Sequence, residues 1–371
     1  MFYRINLAKI LLVICCLTAC TWAAPGMIAA TPEAGATASL PAPKIETTRF
    51  IPTKSAEITP AATQTEAGTQ SPARIPTPGL YDAWSIAHLR QREYGAGSLE
   101  ILEVMDENPT FTRYRIRYPS DDLDIYGFMN LPNGGKALPV IIAIHGYIDP
   151  AVYTTMDYTT RYADDLARQG FAVIHPNLRN YPPSDQGENL FRVGMAVDIL
   201  NLIGIIRREA GKTGPLEQIN GDQIGLWGHS MGGGISTRVM TVDTNIRAVL
   251  LYAAMSGNER QNFEAINGWS DGQRGNEELE VPVAYLDAIS PENFFGDIQS
   301  AVSIHHGLAD ELVPTAWSQA TCEKLTSMGK TVDCVYYKDM PHTFWGSMDL
   351  EFMENAADFF RIYLLVKPSD R

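Results

Sequence analysis

The chain has 371 residues, of which 45% are hydrophobic and 19% charged, and a formal net charge of -14. This length accommodates one large domain or two ordinary ones, and the composition is that of a globular protein. The acidic balance argues against nucleic acid as a partner, because phosphate binding requires clustered Lys and Arg side chains and the sequence has no basic stripe.

The first 20 residues (1–20) predict an export signal. Arg4 and Lys9 precede the apolar stretch ILLVICCLTAC, which is shorter than the about 20 apolar residues of a membrane-spanning helix. The stretch ends in LTAC, which resembles the lipobox of bacterial lipoproteins. That resemblance implies a lipid on Cys20 and a membrane-anchored protein of the cell envelope. A plain secretory signal, cut near TWAAP, is the alternative, and both imply export.

Residues 21–79 are dominated by Thr, Ala, Pro and Gly and have no apolar periodicity. Such a segment cannot bury enough apolar surface to offset the entropy lost on ordering it. We therefore expect residues 21–79 to be a disordered tether that precedes one folded domain, residues 80–371.

From residue 80 the sequence predicts alternating strands and helices. FTRYRIRYP and DIYGFMNLP are typical of strands, and ALPVIIAIHG is the continuous apolar run of a strand buried on both faces. The later predicted strands are FAVIHPN, DQIGLWG, IRAVLLYAA, AVSIHHG and DCVYYKD; the predicted helices are YDAWSIAHLRQREY, DYTTRYADDLARQG, LFRVGMAVDILNLIGIIRREAG, GISTRVMTV, TAWSQATCEKLTSMG and a last one ending near residue 366. This alternation predicts an α/β fold with a mostly parallel sheet, helices on both faces, and a ligand site at the carboxyl ends of the strands.

Ser230 lies in LWGHSMGGG, between a predicted strand and a predicted helix. Gly228, Ser230 and Gly232 fit G-x-S-x-G, the pattern of a nucleophile elbow, which holds the serine on a strained turn. Gly228, Gly232 and Gly233 suit the close approach of strand and helix that such a turn requires. The start of the helix also supplies N–H groups and a partial positive charge where an anion would form.

A serine nucleophile requires a base to take its proton and an acid to orient that base. On sheets of this kind the three residues follow the chain order Ser, acid, His. Of seven histidines, only His342 lies in a loop after the last predicted strand. The acid is expected in the loop after the preceding strand, where we favour Asp310 over Glu311, and Asp339 is the remaining competitor.

An oxyanion hole requires two hydrogen-bond donors near the serine. One is expected to be the backbone N–H of Met231, the residue after the nucleophile. The other is expected from the loop after the predicted strand ALPVIIAIHG, with the backbone N–H of Tyr147 favoured and the imidazole of His145 as the alternative.

Two segments are candidates for shaping a substrate pocket. The stretch NLRNYPPSDQGENLF follows a predicted strand at the sheet's carboxyl edge and contains Arg179 and Tyr181. Residues 254–297 are an insertion that contains Trp269. The insertion is either a small cap that supplies an apolar pocket or a surface excursion with packed aromatic side chains.

Two cysteines lie outside the signal. Cys322 is predicted in a helix and Cys334 in the strand that returns beside it, so an exported protein could join them in a disulfide. Two buried free thiols are the alternative. No metal-ligand spacing appears, and neither a metal nor another cofactor is expected.

The stretch from about residue 111 to 365 resembles the catalytic domain of the prolyl oligopeptidase family, the S9 serine peptidases of the α/β-hydrolase superfamily. The resemblance lies in DIYGFMNLP…PVIIAIHG, GHSMGGG, HGLADELVP and PHTF, in that order. It implies a triad of Ser230, Asp310 and His342 that cleaves peptide or amide bonds of a small-molecule or peptide substrate through an acyl-enzyme.

Two departures limit this resemblance. No β-propeller precedes the domain, so dipeptidyl specificity is not implied, and His145 stands where several relatives use a tyrosine hydroxyl. Similar S-M-G-G-G turns occur in esterases of the dienelactone-hydrolase and cutinase-like kinds, so a carboxylesterase is the main alternative. A catalytically silent hydrolase fold that serves as a binding module is a more remote one. The sequence does not predict an oligomeric state.

Overall fold

A computed structural model describes residues 48–50, 79 and 81–365. These residues fall within one compact unit, Glu46–Arg371. The predicted signal, its Cys20, and the predicted tether apart from residues 48–50 and 79 lie outside the described residues.

The described residues contain a ten-stranded sheet. Its strands are β1 (Thr48–Phe50), β2 (Glu100–Glu107), β3 (Phe111–Ser120), β4 (Leu123–Pro132), β5 (Leu138–Ile144), β6 (Ala172–Pro176), β7 (Ile219–His229), β8 (Ala248–Tyr252), β9 (Ala301–Gly307) and β10 (Val332–Tyr337). They are hydrogen-bonded in the order β1-β10-β9-β8-β7-β5-β6-β4-β3-β2. The six strands from β10 to β6 in this order run parallel, whereas β4, β3 and β2 pair antiparallel and β1 pairs antiparallel with β10.

Helices cover both faces of this sheet. They are α1 (Ile86–Leu89), α2 (Thr160–Arg168), α3 (Val193–Glu209), α4 (Met231–Val242), α5 (Glu259–Trp269), α6 (Asn276–Leu279), α7 (Val283–Ile289), α8 (Thr315–Ser327) and α9 (Gly346–Phe360). Alternate side chains of β5 enter two separate apolar cores, one shared with α3 and α4 and the other with α2 and α9. The predicted α/β class and its mostly parallel sheet are therefore confirmed.

The two outer strands differ from what the sequence predicts. β2 is exposed along almost its whole length. Its apolar and polar residues do not alternate in the way that would predict a half-buried strand. β1 has only three residues and lies in the predicted tether; its backbone pairs with that of β10. A segment this short is below the length at which periodicity can be detected.

The first predicted helix is much shorter than YDAWSIAHLRQREY suggests. A 3₁₀ turn at Asp82–Trp84 precedes α1, which ends at Leu89. Beyond it, local backbone hydrogen bonds continue only as turns as far as Arg92, and the Arg90 guanidinium donates to the carbonyl of Thr241 at 2.6 and 2.9 Å. Tertiary contacts of this kind compete with the local helical preference.

A disulfide joins Cys322 in α8 to Cys334 in β10. It ties a surface helix to the strand beneath it, and the alternative of two free thiols does not hold in this structure. Within the described ranges, no helix is long and apolar enough to cross a membrane.

Candidate active site

Ser230 lies on a sharp turn between β7 and α4. Its backbone has φ 55° and ψ -116°, a conformation that is strained for a residue with a side chain. The turn is held by backbone hydrogen bonds: the Ser230 N–H donates to the carbonyl of Tyr252 at 2.9 Å, and the Ser230 carbonyl accepts from the N–H of Met255 at 3.1 Å. The surrounding strands therefore impose the geometry that the motif predicted.

The three glycines around Ser230 are required by crowding. A Cβ on Gly228 would lie 2.4 Å from the carbonyl oxygen of Gly232, and one on Gly232 would lie 2.1 Å from that of Ile144. A Cβ on Gly233 would lie 2.4 Å from the Cβ of Ala254. Because none of these distances is tolerable, any side chain here would push the turn away from the sheet.

Asp310 and His342 meet beside this turn. The Nδ1 of His342 lies 2.7 Å from Oδ2 of Asp310, whose side chain is fully buried. Burial by itself would raise the pKa of Asp310, but hydrogen bonds from His306, His342 and the N–H of Val313 outweigh it and hold the pKa well below its usual value. The carboxylate is therefore ionised and aligned with the imidazole. The two competing acids, Glu311 and Asp339, are exposed.

Two further histidines, which no sequence motif predicts, support this pair. The Nε2 of His306 lies 3.0 Å from the same Oδ2 of Asp310. His229, the residue before Ser230, donates from Nε2 to the carbonyl of His342 at 3.0 Å, and the two rings lie 4.7 Å apart. His229 thereby ties the loop of His342 to the serine turn.

Burial lowers the pKa of His229 to about 3, and it also lowers the pKa of His145 and His175. Because these folded pKa values lie below the unfolded value of about 6.5, the unfolded chain binds protons first as the pH falls. The stabilisation is complete above about pH 6.5 and declines below it by about 1.4 kcal/mol per pH unit for each histidine.

We therefore expect the melting temperature to fall between pH 7 and pH 5, and to fall less in His229→Gln than in the wild type. His88→Gln, which removes an exposed histidine, is the control and is expected to keep the wild-type slope. Thermal melts at half-unit pH intervals measure this. Equal slopes for His229→Gln and the wild type would contradict a buried, neutral His229.

The loop after β5 approaches the serine closely. A Cβ on Gly146 would lie 3.2 Å from the Cβ of Ser230. Tyr147 is the next residue in the chain, so its backbone N–H belongs to the part of the loop that adjoins the serine. The imidazole of His145 is fully buried, with Nδ1 2.7 Å from the carbonyl oxygen of Gly146 and Nε2 2.9 Å from that of Asn177. Both ring nitrogens thus lie against backbone carbonyl oxygens, and the single N–H of the neutral imidazole donates to one of them. The alternative of a His145 side-chain donor to the oxyanion therefore does not fit this geometry.

A cavity of about 690 Å³ opens beside the serine. Ser230 and Met231 form part of its wall, together with Tyr181, and the insertion contributes Phe263 and Trp269. The insertion, which contains α5, α6 and α7, therefore supplies one side of the pocket, as the cap interpretation expects. A second cavity of about 460 Å³ adjoins the disulfide and includes none of these residues.

Arg179 does not line this cavity, in contrast to the prediction. Its side chain is buried and pairs with Asp198 of α3 at 2.8 Å, and it also donates to the carbonyl of Glu188 at 2.9 Å. An uncompensated Asp198 in this interior would be costly, so Arg179 has a structural role. Across the described residues, no cluster of three or more His, Cys, Asp and Glu could hold a metal ion.

Two family models match the sequence. Residues 139–278 match the alpha/beta hydrolase fold, and residues 211–366 match the prolyl oligopeptidase family. No curated protein sequence matches the chain.

Solved structures of esterases and peptidases resemble the chain. Acetyl xylan esterase 1 from Thermoanaerobacterium sp. JW/SL YS485 is 18% identical with a TM-score of 0.55, over 77% of this chain and 94% of that one. The acetyl xylan esterase from Paenibacillus sp. R4 is 17% identical with a TM-score of 0.56, over 76% and 93%. The acylaminoacyl peptidase of Pyrococcus horikoshii is 23% identical with a TM-score of 0.56, over 69% of this chain but only 42% of that one. At these identities the likeness shows the fold.

Proposed function

We propose that this chain, a serine hydrolase of the α/β-hydrolase fold, cleaves small carboxylic esters through an acyl-enzyme on Ser230. The observation that carries the proposal is the buried Asp310–His342 hydrogen bond of 2.7 Å, which His229 links to the residue next to the serine. Such an arrangement supplies the oriented base that a serine hydroxyl needs.

In the proposed reaction, Oγ of Ser230 attacks the ester carbonyl carbon while Nε2 of His342 takes its proton. Asp310 stabilises the imidazolium that forms, and the N–H groups of Met231 and Tyr147 stabilise the negative oxygen. The bond to the leaving oxygen then breaks, and His342 returns the proton to it. Water attacks the acyl-enzyme with the same base, which releases the acid and restores Ser230.

Ester substrates are favoured over peptides on two grounds. The chain overlaps 94% of one acetyl xylan esterase and 93% of another, whereas it overlaps 42% of the Pyrococcus horikoshii acylaminoacyl peptidase. Esters also have better leaving groups than amides, so their cleavage demands less of the pocket. Peptide or amide cleavage is the second candidate, and the match of residues 211–366 to the prolyl oligopeptidase family favours it.

Matched substrates distinguish these candidates. The purified protein is assayed with p-nitrophenyl esters and p-nitroanilides that carry the same acyl group, with Ser230→Ala as the blank. We expect turnover of the esters above the blank and none of the anilides. Anilide turnover comparable to ester turnover would instead identify a peptidase.

We also propose that the protein is exported and held at a membrane by a lipid on Cys20. The lipobox-like LTAC supports this, as does the Cys322–Cys334 disulfide, since disulfides persist mainly in oxidising compartments. Cys20→Ala is expected to move the protein from the membrane to the soluble fraction, as cell fractionation with immunoblotting would show. Cys16→Ala, in the same signal, is the control. Wild-type membrane retention of Cys20→Ala would contradict the anchor.

A further inference from the structure

Arg192 lines the cavity of Ser230 with most of its hydrogen-bonding capacity unused. Its Nη2 donates to the Glu259 carboxylate. Among the described residues, this is the only hydrogen bond that the Arg192 side chain makes. Nη1 is buried and has no partner among those residues, and the side chain as a whole is 11% exposed. A guanidinium has five N–H donors and stays charged at all physiological pH values. Arg192 therefore keeps N–H donors that no described residue accepts.

Glu259 does not neutralise Arg192, because a second arginine shares it. Nη2 of Arg238 lies 2.6 Å from the other carboxylate oxygen of Glu259. Burial lowers the pKa of Arg238 to about 10, which leaves it protonated at neutral pH. Two guanidinium groups and one carboxylate thus leave one uncompensated positive charge beside the cavity.

The other charged residues of the cavity wall leave this excess in place. The Asp, Glu, Lys and Arg residues of the wall are Arg192, Arg274 and Glu278, and the charges of Arg274 and Glu278 balance each other. This local balance is opposite to that of the chain, whose net charge is -14. A low-dielectric pocket strengthens the attraction of such an excess for an anion.

The backbone holds Arg192 in a strained position. Phe191 has φ 53° and Arg192 has φ 57°, both in the left-handed region that residues other than glycine rarely adopt. The Phe263 ring lies 5.0 Å from the Arg192 guanidinium carbon, a cation–π contact. Strain of this kind persists where the surrounding structure imposes it, and it clusters at binding sites.

We infer that Arg192 binds a carboxylate of the substrate, so that the esters cleaved are those that carry a free carboxylate near the ester bond. This deepens the proposed function and rests on it, since Ser230 acts on the ester that Arg192 holds. The carboxylate belongs either to the acyl group, as in the monoester of a dicarboxylic acid, or to the leaving group, as in an acylated hydroxy acid.

Binding to the Ser230→Ala protein tests the inference without turnover. Calorimetric titration compares monoethyl glutarate with its neutral carboxamide counterpart, and acetoxyacetate with acetoxyacetamide. We expect one carboxylate to bind about 10- to 100-fold more tightly than its amide, as for a hydrogen bond to a charged group. The pair that shows the preference identifies the side of the ester that carries the carboxylate.

Second substitutions in the Ser230→Ala protein then assign the preference. Arg192→Met is expected to abolish it, whereas Arg192→Lys, which keeps the charge, is expected to keep part of it. Arg260→Met is the matched control, because it removes one arginine from α5 next to Glu259 without touching the cavity wall. If Arg192→Met does not fold, a reduced preference in Arg192→Lys still supports the assignment, and an unreduced one overturns it.

The outcomes separate this inference from the proposed function. Equal binding of carboxylate and amide in both pairs, or a preference that survives Arg192→Met, would overturn the inference even if the wild type hydrolyses neutral esters. Carboxylate binding that depends on Arg192, with no ester hydrolysed by the wild type, would contradict the proposed function and leave the role of Arg192 in place.

Discussion

Ser230→Ala is expected to lower kcat for ester hydrolysis by about 10⁴- to 10⁶-fold. Removal of Oγ leaves no atom to form the acyl-enzyme, and what remains is rate enhancement from the oxyanion hole and from binding. The fold should persist, because alanine fits the space of serine and the turn is held by backbone hydrogen bonds to Tyr252 and Met255. Steady-state kinetics and thermal melts of the same preparation measure both quantities.

Ser236→Ala provides the control for this substitution. Ser236 lies on α4, the helix that follows Ser230, but its hydroxyl donates to the carbonyl of Gly232 and does not line the cavity. We expect its kcat to stay close to that of the wild type. Activity that survives in Ser230→Ala would mean that another group performs the chemistry.

Asp310→Asn is expected to lower kcat by about 10³- to 10⁴-fold and to destabilise the fold as well. The Asp310 carboxylate accepts four hydrogen bonds, two from histidines at Oδ2 and two from backbone N–H groups at Oδ1. The donors are Nδ1 of His342 at 2.7 Å, Nε2 of His306 at 3.0 Å, and the N–H groups of Leu312 at 2.8 Å and Val313 at 2.9 Å. An amide offers one oxygen, so its NH₂ group must face two donors. This mismatch both misorients His342 and leaves buried donors unpaired.

Two substitutions of neighbouring carboxylates control for a general effect of charge. Glu311→Gln and Asp339→Asn each remove an exposed carboxylate of the same loops. Both are expected to keep wild-type kcat and stability, as stopped-flow or steady-state assays and denaturant titrations would show. A large loss in Asp339→Asn together with wild-type kinetics in Asp310→Asn would transfer the acid role to Asp339.

Features set by local sequence were predictable. The serine turn follows from the glycines at fixed positions between a strand and a helix, and the structure shows why: a Cβ on any of them would lie 2.1 to 2.4 Å from a backbone or side-chain atom. Chain order predicts His342 and Asp310, because parallel strands bring successive loops to one edge of the sheet. The fold class followed from the same alternation.

Features set by tertiary pairing were not predictable. Arg179 follows β6 at the sheet's carboxyl edge, but Asp198, on the facing helix α3, binds its side chain. His306 and His229 support the Asp310–His342 pair through contacts that no local pattern encodes. Arg192 follows Phe191 in a left-handed conformation without a glycine to signal it. In each case the partner's position depends on packing and not on spacing along the chain.

Covalent labelling tests the central claim, that Ser230 is a nucleophile activated by the His342–Asp310 pair. The protein is incubated with a fluorophosphonate, whose adduct with a nucleophilic serine resembles the tetrahedral intermediate, and mass spectrometry of the intact chain and of its peptides locates any adduct. We predict one adduct per chain on Ser230, absent in Ser230→Ala and formed much more slowly in His342→Ala. An adduct at another residue, or none under conditions in which esters are hydrolysed, would contradict the account.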